Sequence, residues 1–297
     1  MQIKQSGTKF VDKHKKTTKM KILKLTFTLI LSGFIFGATA QELPQASPRG
    51  KIEQTVGLTN ISIDYSRPSV KGRKIFGEVV PFNEIWRLGA NASTKITIDQ
   101  YLKFGDQILK PGTYSMFAYP SEKKWEIHFN TVVEQWGTSE YDETKNAVSV
   151  VAKTQEAPLK ESLEISIENL TINSGSIVIR WEKTMIELPF IVNTKELAEK
   201  NISNAIEKGE DLNKVYYNAA KYYLTAKDYE QALTFIEKSI DEKSAHNNLF
   251  YKARILEAKG DTKAAIKFAE KALDHAKNNN EEGWASYIQK SIDEWSK

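Results

Sequence analysis

The sequence predicts two domains of different class, an N-terminal antiparallel β-sandwich and a C-terminal domain of α-helical hairpins. Between residues 51 and 191, apolar and polar residues alternate in short runs separated by turns, which is typical of half-buried strands. From residue 193 onward, apolar residues recur every three or four positions, which is typical of helices. Two helical segments repeat at an interval of 33 residues, and 297 residues are enough for about two domains.

The positive charge of the chain is concentrated at its N-terminus. The formal net charge is +4, yet the first 24 residues alone contain eight lysines and one aspartate. Everything that follows is therefore net negative, without the basic surface that nucleic-acid-binding proteins use. We expect no nucleic-acid partner.

Residues 1–40 are predicted to be an upstream extension and a signal peptide. A basic stretch ending at Lys24 precedes the twelve-residue, largely apolar run Leu25–Phe36, and Ala38-Thr39-Ala40 then provides the small residues that a signal peptidase inspects. Twelve residues fall short of the roughly 20 that a membrane-spanning helix needs. We therefore expect cleavage before Gln41 and a periplasmic or secreted protein that does not span the membrane.

The region 41–192 is predicted to form the β-sandwich. Ile52, Gln54 and Val56 alternate with charged or polar neighbours, and the same pattern recurs at Ile61, Ile63 and Tyr65. Many short strands separated by turns favour an antiparallel sandwich over βαβ units. Further strands are predicted at 94–101, around Ile108, and at 114–119, 125–129, 148–153, 163–167, 176–182 and 185–191.

One segment, residues 65–91, interrupts the alternation and is the candidate ligand site of this domain. It is rich in the glycine and proline residues that shape loops, and binding groups concentrate on loops held by a rigid scaffold. Guanidinium groups suit a carboxylate or sulfate, and aromatic rings suit a saccharide or peptide. The alternative is a structural clasp in which Trp86 fills the core and Arg87 pairs with Glu84 or Asp64. The candidate binding residues are Tyr65, Arg67, Lys71, Arg73, Trp86, Arg87 and Asn91.

The sequence offers little support for an enzyme. Cysteine is absent, so neither thiolate chemistry nor a cysteine-bound metal is available, and His128 is the only histidine of the predicted sandwich, where we expect it to face the surface or the polar loop. No nucleophile elbow, zinc-binding helix or phosphate loop is present. The remaining enzymatic alternative is an envelope polysaccharide hydrolase that uses Asp64, Glu78 and Glu84. We expect no cofactor and no metal.

The first domain resembles a known family. The segments YSRPSVKGR, beginning at Tyr65, and WRLGAN, beginning at Trp86, are similar to those of secreted bacterial proteins catalogued as a domain of unknown function and typical of the Bacteroidetes. The resemblance covers residues 47–190. It implies an exported, β-rich domain, and it implies no catalytic or ligand-binding residue.

The region 193–297 is predicted to be helical throughout. Asn193 followed by Glu196 forms a capping signal at its start. Ala198, Ile202 and Ala205 then lie on one face of a first helix. This helix fits the second half of a degenerate repeat.

The two segments that repeat resemble tetratricopeptide repeats, with Lys227-Asp228-Tyr229 and Gly260-Asp261-Thr262 as the turns between paired helices. Such arrays usually bind proteins; alternatively, so short an array merely packs on the sandwich. We interpret the protein as a non-enzymatic scaffold with a protein partner and with a carbohydrate or anionic small molecule as a possible ligand. The candidate protein-binding residues are Tyr216, Asn218, Tyr223 and Tyr251.

Overall fold

The structure is a computed structural model that describes residues 1–2, 7, 43–209 and 211–297. The residues from Ala46 to Lys297 form one compact unit. The predicted signal peptide and its cleavage site lie outside the described residues. Strands occupy the chain up to Val192 and helices follow from Thr194, at the position where the sequence pattern changes. The predicted domain boundaries themselves stay a prediction.

The first part of the unit is an antiparallel β-sheet, as predicted. Its strands follow the order β1-β2-β3-β6-β7-β8-β9-β4-β5, and every pair of neighbours is antiparallel. The sandwich arrangement stays a prediction. The strands are β1 (Arg49–Val56), β2 (Thr59–Ser66), β3 (Thr94–Ile98), β4 (Leu102–Phe104), β5 (Gln107–Leu109), β6 (Gly112–Pro120), β7 (Lys124–Asn130), β8 (Asn146–Glu168) and β9 (Ser174–Val192).

Two strands are longer than the sequence predicted. Strands expected at 148–153 and 163–167 are the two ends of β8, and strands expected at 176–182 and 185–191 are both part of β9. The first part of β8 pairs with β7 and the second part with β9, with irregular register between Glu156 and Glu164. Polar residues in the middle of each strand hide this continuity, because an exposed stretch of a long strand reads as a loop.

The core of the β region is rich in aromatic side chains. The ring centroids of Phe76 and Trp125 lie 4.8 Å apart, and the rings of Trp86 and Trp181 stack with their centroids 5.8 Å apart. Trp86 comes from the 65–91 segment, Trp125 from β7 and Trp181 from β9. Aromatic rings contribute large buried areas, so the long loop supplies part of the core.

Six helices follow within the described residues. Asp211, Asp228 and Asp261 each cap a helix, because a carboxylate oxygen accepts a hydrogen bond from the backbone N–H three residues later. The helices are α1 (Thr194–Glu207), α2 (Leu212–Thr225), α3 (Tyr229–Glu242), α4 (His246–Lys259), α5 (Thr262–Asn278) and α6 (Glu282–Trp295). None of them is both long enough and apolar enough to cross a membrane.

The helices pack around two apolar clusters of their own. One centres on α2 and α3 and includes Ala220, Tyr223 and Ile236. The other joins α4, α5 and α6 and includes Phe250 and Ile288. Alanines and other small side chains at the contacts allow the helix axes to approach closely.

Candidate functional site

The 65–91 segment begins as a hydrogen-bonded strap across β8. The Tyr65 hydroxyl accepts a hydrogen bond from the backbone N–H of Ile165 at 3.0 Å and donates one to the carbonyl of the same residue at 3.3 Å. Arg67 Nε donates to the carbonyl of Leu163 at 3.0 Å. These contacts bind the Tyr65 hydroxyl and one donor nitrogen of the Arg67 guanidinium to backbone groups of the protein itself.

The strap continues through the next residues. The backbone N–H of Val70 donates to the carbonyl of Glu161 at 2.7 Å, and that of Lys71 donates to the Glu161 carboxylate at 2.9 Å. Arg73 closes its own turn, donating to the carbonyls of Val70 and Ser69 at 3.0 and 2.7 Å. Lys71 and Arg73 are exposed, but two donor nitrogens of the Arg73 guanidinium already bind backbone carbonyls.

Trp86 lies inside the core, where it is 7% exposed. Its indole N–H donates to the carbonyl of Gly89 at 3.1 Å, and its ring packs against Phe76, Trp125 and Trp181. Tyr65 is 3% exposed. Neither ring offers the open face that stacking on a sugar or peptide requires, so this geometry favours the clasp and corrects the expected stacking role.

Arg87 is half-buried and differs from the pairing expected for a clasp. Its Nε is buried without a hydrogen-bond partner, and it forms no ion pair among the described residues. Asp64 instead pairs with Arg49 at 2.8 Å, and Glu84 is exposed. Burial lowers the pKa of the Arg87 guanidinium, because desolvation disfavours the charged form. Arg87 is thus a cation held at the edge of the core without an acidic partner there.

Asn91 ends the segment in a left-handed turn. Its φ is 60°, a conformation that asparagine tolerates better than most residues. Its amide nitrogen lies 3.4 Å from both the Ser47 carbonyl and the Ser66 hydroxyl. Asn91 therefore ties the end of the loop to the beginning of the domain.

The carboxylates of the hydrolase alternative do not form an evident catalytic pair. Asp64 is bound to Arg49, Glu78 lies 3.9 Å from Lys74, and no contact joins the three acids in the part of the chain that the structure describes. The same residues contain no cluster of three or more metal-binding side chains.

His128 is buried, not surface-facing as expected. It is 2% exposed, its Nδ1 lies 2.8 Å from the Ser149 hydroxyl, and the rings of Tyr119 and Tyr141 cover it. Burial lowers the pKa of its imidazole. The alternation of strand residues predicted its face correctly, but not the cover that the 131–145 segment provides through Tyr141.

The four residues of the predicted repeat face lie on two helices and differ in burial. Tyr223 is a core residue, 5% exposed, with its ring stacked on Phe235 at 5.4 Å, which corrects its assignment to a binding face. Tyr216 lies near Phe235 and Lys238. Tyr251 is on α4, and Asn218 is exposed on α2.

A compact group of cations and tyrosines lies around Tyr251, and sequence reasoning found only that one member. The Tyr217 and Tyr251 rings meet edge to face at 5.1 Å. Lys221 Nζ lies 5.5 and 5.9 Å from the two ring centroids, and the Arg254 guanidinium lies 4.8 Å from the Tyr251 ring. We call these four residues the cation–tyrosine cluster.

The cluster carries two positive charges without a salt bridge. Lys221 and Arg254 are exposed, and neither pairs with an acid within the described ranges. Cations over aromatic faces are held in place at modest energy and remain available to anions. Tyr217 with Lys221 and Tyr251 with Arg254 are spaced four and three residues apart, and this spacing is the signal that could have revealed the cluster.

Comparison with known families covers both parts of the chain. Residues 47–190 match the family model described as a protein of unknown function (DUF2911). Residues 214–246 and 249–292 match the model of the tetratricopeptide repeat. No curated protein and no solved structure matches the chain. Both resemblances predicted from the sequence are confirmed, and the repeats indicate protein–protein interaction.

Proposed function

We propose that this chain, a DUF2911 domain followed by tetratricopeptide repeats, is an exported, non-enzymatic scaffold whose repeats bind an acidic segment of another protein. The cation–tyrosine cluster carries the proposal. It places two unpaired cations on neighbouring helices of the matched repeats, beside two half-buried phenol rings. Carboxylates are the natural partners of such cations.

The arrangement also explains why the binding site would be rigid. Tyr217 and Lys221 belong to α2, Tyr251 and Arg254 to α4, and the ring contact between the tyrosines fixes the distance between the two helices. A site that is formed before its ligand arrives loses less conformational entropy on binding. The β region then serves as the support on which the array is built.

The test is a peptide array that contains acidic, neutral and basic peptides of equal length, probed with the labelled protein. We expect preferential binding to acidic peptides, weakened at high salt, and loss of that preference in the double variant Lys221→Glu, Arg254→Glu. The control is Lys263→Glu, Lys267→Glu, which makes the same charge change on exposed residues of α5. No acidic preference in the wild type, or equal binding by both double variants, would refute the proposal.

Export is the second part of the proposal, supported by the basic, apolar and small-residue regions that precede Gln41. N-terminal sequencing of the protein from the periplasm or medium is expected to begin at Gln41. Recovery of the intact chain from the cytosol would contradict export while leaving the peptide-binding proposal untouched.

A second candidate function concerns Arg87, and its half-buried guanidinium, which has no acidic partner among the described residues, is the observation that favours it. A half-buried cation without an acidic partner in the described residues suits an anionic ligand such as a uronate or a sulfated sugar. On an array of neutral, uronate-containing and sulfated glycans, we expect anionic binding that Arg87→Gln abolishes and Arg49→Gln preserves. Binding of neutral glycans alone would exclude the anion site. No comparable observation favours the polysaccharide hydrolase.

A further inference from the structure

A large groove in the described residues lies where the helices meet the β region. Its volume is about 720 Å³, and it is lined mainly by apolar side chains. Two β-turns and two helices contribute to it, and the principal apolar lining residues are Leu58, Ile172, Ala198, Ile202, Val215 and Ala219. We call it the α1–α2 groove.

The groove exists because α1 has no partner helix within a matched repeat. The matched repeats begin at residue 214, so that α2 pairs with α3 and α4 with α5, whereas α1 ends at Glu207 and precedes them. Only Thr194 and Ala198 of α1 are buried. In a repeat array, each helix pair covers the apolar face of its neighbour, and a face without that cover remains open. The apolar side of α1 is thus left half-covered beside α2.

The joint between α1 and the β region holds the groove open. The Thr194 hydroxyl donates to the carbonyl of Ile172 at 2.6 Å, and the turn at Gly57 passes so close that an added methyl group would overlap Thr194. These contacts fix the start of α1 against two β-turns. The helix therefore cannot simply close onto α2 to fill the space.

The α2 side of the groove is flanked by two lysines. Lys214 and Lys221 directly precede the lining residues Val215 and Tyr222 on α2; both are exposed, and neither forms a salt bridge among the described residues. We call these two lysines the basic rim. On α1, the acid Glu199 has a cationic neighbour, Lys195, at 3.9 Å. An occupant would meet an apolar floor next to a basic rim.

We propose that the α1–α2 groove binds an amphipathic helix of a partner protein, with its apolar face on α1 and α2 and acidic residues along the flank that meets the basic rim. This inference rests on the proposed protein-binding function and names the chemistry of the partner segment. The 14 residues of α1 extend about 21 Å at 1.5 Å per residue, so a helix of about four turns would cover the groove. Helix-in-groove binding of this kind uses apolar anchors at helical spacing.

The experiment uses three synthetic helical peptides with the same leucine and alanine face and with flanks of glutamate, glutamine or lysine. Fluorescence anisotropy measures their affinity for the purified protein. We expect the glutamate-flanked peptide to bind at least about ten-fold more tightly than the lysine-flanked one, as unfavourable charge contacts oppose the latter.

Two variants place bulk in the groove, and one serves as the matched control. Asn201→Trp and Ala205→Trp introduce an indole at positions that line the groove. We expect each variant to bind the glutamate-flanked peptide at least about ten-fold more weakly, because the apolar face of the peptide can no longer pack against the groove. Asn204→Trp adds the same ring at an exposed position of α1 outside the groove lining and is expected to leave the affinity unchanged. Circular dichroism confirms that each variant keeps its helix content.

Three outcomes would overturn the inference: no binding by any of the three peptides, equal affinity for all three, or equal affinity in the groove and control variants. A dimer in light scattering that Asn201→Trp dissociates would also overturn it, because the occupant would then be a second copy of this chain. If the acidic preference on the peptide array depends on Lys221 and Arg254 while the groove variants have no effect, the proposed function stands and only this inference fails.

Discussion

Tyr65→Phe is the sharpest test of the loop as a structural clasp. The hydroxyl bonds to both the N–H and the carbonyl of Ile165, at 3.0 and 3.3 Å, in a buried position. The hydroxyl therefore supplies the hydrogen bonds that a neighbouring strand would otherwise supply to this part of β8. Phenylalanine keeps the ring and removes only the oxygen.

The expected loss of stability follows from the two backbone groups of Ile165 that lose their hydrogen-bond partner. A buried polar group that loses its partner costs about 1–3 kcal/mol, so two such groups predict a loss of about 3 kcal/mol in the free energy of unfolding. At roughly 2–4 °C per kcal/mol for a unit of this size, the melting temperature should fall by about 6–12 °C.

The assay is thermal and urea denaturation followed by circular dichroism. The control is Tyr101→Phe, which removes a hydroxyl with no hydrogen bond in the described part of the chain. Equal melting temperatures for the two variants would refute the clasp, since the Tyr65 hydroxyl would then contribute no more than an unbonded one.

The remaining predictions concern the α1 joint, a helix cap and one ion pair. Gly57→Ala should lower the melting temperature, because the new methyl group overlaps Thr194 and because Gly57 has a φ of 57°. It should also shift the fluorescence of an indole placed at position 201. An unchanged spectrum would contradict the close contact between Gly57 and the start of α1. Asp261→Ala should lower the free energy of unfolding, measured by urea denaturation, by about 1 kcal/mol, because it removes the cap of α5. Asp261→Asn should retain most of that stability. Hydrogen bonding to Arg180 holds the pKa of Glu168 at about 2, below the ordinary 4.5, so its stabilisation is present above pH 4.5 and is lost as the pH falls towards 2. Glu168→Gln should flatten the pH dependence of unfolding in that window, and an unaltered slope would show that the pair contributes nothing.

Local patterns predicted the elements better than their contacts. Alternation located β1, β2 and the antiparallel class, and helical spacing located the change to helices after Val192. Asp228 and Asp261 were recognised as turn residues and each caps the following helix. Such features depend on residues close together in the sequence, where backbone geometry leaves few alternatives.

The candidate sites depended on contacts that the sequence could not supply. The burial of Tyr65 and Trp86 results from β8 and β9, about 100 residues further along the chain. The position of Tyr223 in the helical pattern is compatible with either a surface or a core residue. Only its ring contact with Phe235 shows that it belongs to the core. The cation–tyrosine cluster requires α2 and α4 to be neighbours, which the period of the repeat implies only in outline.

By itself, the sequence determined the succession of strands and helices, the family resemblances, the uneven distribution of charge and the absence of cysteine chemistry, because each of these is a property of residue type and near-neighbour spacing. Only the tertiary structure decided that the 65–91 loop straps β8, that Arg87 lacks an acidic partner within the described residues, and that α1 stands apart from α2 over an apolar groove. These properties arise where distant segments meet, and at such meetings burial, shape and pairing depend on three-dimensional packing.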